Sequence, residues 1–140
     1  MAMNVTRADV WVAGLQDRPG AAAEKLQVLA AAGVNLEFVL ARRAPEKPGT
    51  AVLFVCPLAG SKQLKAAKAA GFHKSKSLHG LRIEGPDKAG TGAAITQVLG
   101  ARGLNLRGMS AAVIGRRFVT YLALYTAADV GKAARALKVM

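Results

Sequence analysis

Several things are scarce in this chain, and each scarcity excludes something. Cysteine occurs once, as Cys56, so an intrachain disulfide is impossible. The residue lies beside the apolar run Val52–Val55, which suggests a buried, unreactive thiol and, with no oxidative framework, a cytoplasmic protein. Aromatic residues make up 5% of the chain, and no RNP-type alternation of aromatics occurs. Base stacking on a sheet, the usual mode of RNA-recognition modules, therefore has little to work with. No apolar run approaches the roughly 20 residues needed to span a bilayer, and Met1 to Asp9 lacks a signal-peptide core. A membrane partner is not expected.

Catalytic groups are scarce too. His73 and His79 are the only histidines, and neither has Cys, Asp or Glu at a metal-ligand spacing. There is no nucleophile elbow, paired-carboxylate arrangement or complete phosphate loop. Gly90-Thr91-Gly92 is only a fragment of a dinucleotide fingerprint. We expect no catalytic residue, no cofactor and no metal, and hence no enzyme. Acidic residues are few: eight Asp plus Glu stand against twenty Lys plus Arg, giving a formal charge of +12. Such a balance permits a polyanionic partner. Without sheet aromatics, the expectation is a solvated surface and no nucleic-acid partner.

What is present is a repeat. Residues 17–36 and 87–106 align without a gap at an offset of 70, with 10 of 20 positions identical. Each copy reads Asp, a basic residue, Pro or Ala, Gly, an apolar helical run, then Gly-Val/Leu-Asn-Leu. A fixed internal period signals a duplicated structural unit. Asp17 and Asp87 are placed to cap the helices that follow, and Pro19 suits a first turn. Gly20 and Gly90 leave that turn's backbone uncovered. Ala22, Ala23, Leu26, Leu29 and Ala30 give a helical face, as do Ala94, Ile95, Val98 and Leu99. Gly33 and Gly103 end the helices, and Asn35 and Asn105 are expected to open the next strands.

Around this repeat the expected elements are a strand over 8–15, a strand over 34–43, a strand over 50–56 and a helix from Ser61, its N-cap, to Ala70. A short fourth strand follows over 72–78, with His79-Gly80 as connection. The second module repeats the order with strands over 81–84, 104–114 and 118–125 and a helix from Asp129, a candidate N-cap. No residues remain for a fourth strand. The expected domains are 1–79 and 80–140.

Strand, Asp-x-Pro-Gly turn, helix, Gly-Val-Asn-Leu and strand resemble an ACT domain, the small-ligand regulatory module of enzymes such as aspartokinase and phosphoglycerate dehydrogenase. The resemblance implies an α+β class protein of two tandem ferredoxin-like βαββαβ modules, with antiparallel sheets and helices on one face; the second module, with no residues remaining for its last strand, departs from that pattern. It further implies a non-catalytic, allosteric sensor of an amino acid. The residues that would bind it are Asp17, Arg18, Gly20, Ala21, Asn35 and Leu36 in the first module. In the second they are Asp87, Lys88, Gly90, Thr91, Asn105 and Leu106. Helix-start amides would take the carboxylate, Asp the ammonium, and the Asn amide either. These groups would converge if the turn and the Asn lay at one end of the module. Alternatives are a detached regulatory subunit serving a partner enzyme of amino-acid metabolism, and a basic interaction or nucleic-acid-binding regulator on the same scaffold. A homodimer is expected. With strand order 4-1-3-2, pairing two modules of one chain through their second strands needs a crossing of roughly 25 Å, or about eight extended residues. Only a few are free near His79-Gly80, unless the polar run His73 to Ser77 is itself the linker.

Overall fold

In the computed structural model, which describes residues 3–140, glycine and short polar turns divide the chain into twelve elements. These are β1 (Asn4–Ala8), β2 (Trp11–Gln16), α1 (Ala21–Ala31), β3 (Phe38–Arg43), β4 (Thr50–Cys56), α2 (Gly60–Ala69) and β5 (His73–Lys74). They continue with β6 (His79–Pro86), α3 (Thr91–Ala101), β7 (Gly108–Ile114), β8 (Arg117–Leu124) and α4 (Ala127–Lys138). The strands form two antiparallel four-stranded sheets, ordered β3-β4-β2-β5 and β1-β6-β8-β7. This is the expected α+β architecture, and both sheets carry the 2-3-1-4 order of a ferredoxin-like module.

The units divide differently from the linear expectation. One is the continuous segment Asp9–Ser75; the other joins the residues up to Ala8 with Lys76–Met140. The second module does lack a last strand of its own, and β1 takes that place at the edge. It pairs antiparallel with β6 from Asn4↔Glu84 to Ala8↔Gly80. Residues 4–8, expected in module 1–79, thus complete the other sheet. Three features fix the docking. Val5 is buried in a core with Leu81, Ile83, Ile95, Leu99, Leu122, Leu124, Val130 and Leu137. Ala8 is buried too. Gly80 has no side chain to obstruct it: a Cβ there would lie 2.2 Å from the Ala8 carbonyl oxygen.

The unit Asp9–Ser75 has its own core of Trp11, Ala13, Leu29, Leu53, Val55, Ala67 and Phe72. Trp11, Ala13 and Leu15 alternate with Val12 and Gly14, so one face of β2 meets the helices and the other stays open, as strand periodicity requires. Cys56 is buried, as expected. β5 is shorter than the strand expected over 72–78, and His79-Gly80 begins β6 instead of linking modules. His73 is exposed in β5, and the His79 ring pairs with the Lys76 carbonyl at 3.1 Å.

The caps differ from the expectation in instructive ways. Neither Asp17 nor Asp87 caps a helix; α1 and α3 begin after Gly20 and Gly90, both at φ 84°, with no side-chain cap. The left-handed glycine turns the backbone into the helix, and the aspartates stand three residues too early. Ser61 lies inside α2, whose N-cap is Ala59; the Ala59 amide donates to Gln63 Oε1 at 2.8 Å. The N-cap of α4 is Thr126, whose hydroxyl accepts from the Asp129 amide at 3.0 Å. The helix ends do match the reading. Gly33 and Gly103 are left-handed, and Val34 and Leu104 donate back to Leu29 and Leu99 at 3.1 and 3.0 Å. With Gly33 to Ala30 and Gly103 to Gly100, these are Schellman caps.

Candidate functional site

The duplicated turn is the same object in both units. Each is pinned by one backbone bond to the neighbouring hairpin: Asp17 N–H donates to Gly49 O at 3.0 Å, and Asp87 N–H to Arg116 O at 2.9 Å. Each closes with the amide three residues on, Ala21 to Arg18 O at 3.3 Å and Thr91 to Lys88 O at 3.2 Å. Each then enters a helix of 11 residues whose first free amides have no side-chain cap. A helix start holds N–H groups without intrahelical partners and the positive end of the dipole, a setting that suits a carboxylate.

The site residues divide by what they already do. Asp17, Gly20, Asp87, Lys88 and Gly90 are exposed on the turns. Arg18 is exposed but engaged: it donates through Nη2 to Glu24 at 2.9 and 2.7 Å, and through Nε to Gln16 at 3.0 Å. The Glu24 hydrogen bond and charge raise the Arg18 pKa and lower that of Glu24. Ala21 and Thr91 are buried, and the Thr91 hydroxyl donates to Lys88 O at 2.7 Å, so it braces the turn. Leu36 and Leu106 are half-buried against the two cores. Asn35 and Asn105 are exposed in the segments after the helices, three residues before the strands they were expected to open.

Within one module these groups do not converge. β2 and β3 both run antiparallel to β4, so they are parallel to each other. The Asp17 turn follows the end of β2 paired with Thr50, whereas Asn35 precedes the end of β3 paired with Cys56. An eleven-residue helix separates them, roughly 16 Å of rise. The other unit repeats this: Pro86 pairs with Arg117, and Gly108 with Ala123. The fold places turn and asparagine at opposite ends, against the expectation of one end. Sequence reasoning also missed Gly49 and Arg116, whose carbonyls hold the turns; pairing across a hairpin leaves no local signal.

The outer sheet faces differ between units. On β2 and β4, Val12 and Phe54 stand where Arg82 and Tyr121 stand on β6 and β8, by register. Arg42 lies 5.6 Å above the Phe54 ring, and Arg82 lies 6.0 Å above Tyr121. Arg82 also bonds Glu84 at 2.8 Å, and Arg117 bonds Glu84 at 3.2 Å. Among the described residues, no group of three or more His, Cys, Asp or Glu could hold a metal ion. No described helix is long and apolar enough to cross a membrane.

No protein-family model matches the chain, and no curated protein does. Solved structures do. A Bacteroides thetaiotaomicron protein superposes with a TM-score of 0.77 at 20% identity, over 96% of this chain and 89% of its own. The regulatory subunit of aspartate kinase from Thermus thermophilus, in ligand-free form, gives 0.65 at 18% identity, over 98% and 95%. A putative C-terminal regulatory domain of aspartate kinase from Porphyromonas gingivalis gives 0.51 at 14%, over 97% and 93%. The two units that the repeat encodes thus have the ACT-like fold of aspartate kinase regulatory domains, along nearly the whole chain.

Proposed function

We propose that the chain is a non-catalytic regulatory protein that senses an amino acid at its duplicated turns. The observation that carries this reading is the turn itself. Twice, at the same offset, a left-handed glycine opens a helix whose first amides have no side-chain cap, beside an exposed Asp. The amides suit an α-carboxylate and the Asp suits an ammonium, so the pair matches a zwitterion. Because Asn35 lies at the far end of its own module, it reaches a turn only when a second module runs alongside in the opposite direction. The binding unit is therefore a pair of modules, supplied by a second copy of the chain: Asp17, Arg18, Gly20 and Ala21 of one face Asn35 and Leu36 of the other. Asp87, Lys88, Gly90, Thr91, Asn105 and Leu106 are the corresponding set. Structures of the same fold that are regulatory subunits of aspartate kinase favour a partner enzyme as the target of regulation.

The test is a thermal-melting screen over the proteinogenic amino acids. A ligand at about 100 times its Kd adds roughly 2.7 kcal/mol to native stability. That raises the midpoint of a small domain by several degrees. Loss of the shift in Asp17→Ala and Asp87→Ala locates it. No shift with any amino acid at millimolar concentration sinks the reading.

A further inference from the structure

The strongest unexplained feature is charge, and it too is duplicated. Lys62, Lys65 and Lys68 lie on α2; Lys132, Arg135 and Lys138 lie on α4, each at the offset of 70 that relates the turns. The helices share phase, since the buried Ala67 and Leu137 stand at the same offset. All six cations are exposed, on the side opposite the core. Among the described residues, none of the six takes part in an ion pair or a side-chain hydrogen bond.

Ordinary helix electrostatics accounts for only part of this. Lys68, Arg135 and Lys138 occupy last turns, where a cation complements the dipole. Lys62 is at the opposite end, in the first turn of α2, where an acid is the stabilising choice. α2 contains no acidic residue at all, and α4 contains only Asp129. Cations three residues apart are surface neighbours about 4.5 Å apart along the axis, so each row repels itself. Solubility would be served equally by mixed signs.

We propose that the outer faces of α2 and α4 bind the phosphate backbone of a nucleic acid, without sequence preference. A folded acidic partner would present one patch to one row. Here the same row occurs on both units, within a general excess of one sign. Eleven Lys plus Arg stand against three Asp plus Glu in the unit holding α4, and nine against five in Asp9–Ser75. Each row by itself, three cations spaced about one helical turn apart, matches a partner whose charge repeats along its length. Five of the six are lysines, which contact phosphate as point charges and carry no base-reading fork. This surface is distinct from the turns and from the aromatic-poor sheet faces, and it operates without amino acid present.

The test is fluorescence anisotropy with labelled single-stranded RNA and duplex DNA 20-mers from 50 to 200 mM salt. The proteins are the full chain, K62Q/K65Q/K68Q, K132Q/R135Q/K138Q and a control, R43Q/K47Q/K76Q, which loses three exposed charges elsewhere. Poly-glutamate is the competing polyanion. We expect binding that weakens steeply with salt, with the slope shallower by about 0.7–0.9 for each contacting cation removed from a row. The control should keep the wild-type slope. Absence of binding at 50 mM salt, or an equal loss in control and row variants, overturns the proposal. Poly-glutamate bound as tightly, with the same dependence on the rows, overturns it in favour of an acidic protein surface.

Discussion

At the scale of single residues, side chains that look equivalent in the sequence do different work. Asp17 and Thr126 each stand ahead of a helix, but only Thr126 caps one. Thr126→Ala should cost about 1 kcal/mol. Asp17→Ala should stay within about 0.5 kcal/mol of wild type, because its carboxylate caps nothing. Urea denaturation of the two variants checks the contrast, and equal losses would restore the capping role. Glu84 is a second case. Hydrogen bonds from Arg82, and then from Arg117, hold its carboxyl below the usual carboxylate range. A depressed folded pKa gives stability that is present above the unfolded value and lost as pH falls through the folded one. Glu84→Gln should therefore lower the melting temperature at pH 7, and the gap from wild type should narrow as the pH is taken below 4. A gap that persists unchanged in acid would mean the site acts by shape and not charge.

At the scale of elements, the decisive one is the strand that is far from its partners in sequence. β1 supplies the edge of the sheet built by β6, β8 and β7. Gly80→Ala would drive a methyl group against the Ala8 backbone at a point where no flexible side chain can yield. We expect a loss of about 1–3 kcal/mol, typical of overpacking. Chemical denaturation followed at Trp11, in the other unit, should report less change than far-UV dichroism does. The repeat made α1, α3 and their Schellman ends legible, and local periodicity placed β4 and β8 to within a residue, while the expected strands over 8–15 and 104–114 began early of β2 and β7. β1 was not legible. Its buried residues, Val5 and Ala8, are three apart, so no alternation shows, and its partner is encoded some eighty residues later. For the site, the turn residues were readable but their separation from the asparagines was not. That separation follows from strand direction, which local spacing does not carry.

At the scale of the whole molecule, the sheet edges make a demand. β7 is a seven-residue edge strand with no charge, and it exposes Met109 at 41%, Val113 at 50% and Ile114 at 69%. At the other sheet's edge, β3 exposes Val39 at 47%. Long apolar edges invite pairing, and natural proteins usually blunt them with lysine or proline. Sedimentation equilibrium at tens of micromolar should show at least a dimer; a monomer with and without amino acid counts against the paired-module site. The interrupted unit has another effect, on the order in which the chain can fold. Asp9–Ser75 is continuous, and its ends meet: Ser75 N–H bonds Val10 O at 3.3 Å, and Lys74 pairs with Asp9 at 3.3 Å. Until that segment is folded, bringing β1 to β6 means closing a loop of about seventy residues, an entropic cost of about 3–4 kcal/mol. Once it is folded, Ala8 and Lys76 leave it side by side, and the loop has in effect been closed already. β1, made first during synthesis, is therefore expected to pair with β6 only after the segment Asp9–Ser75 has folded.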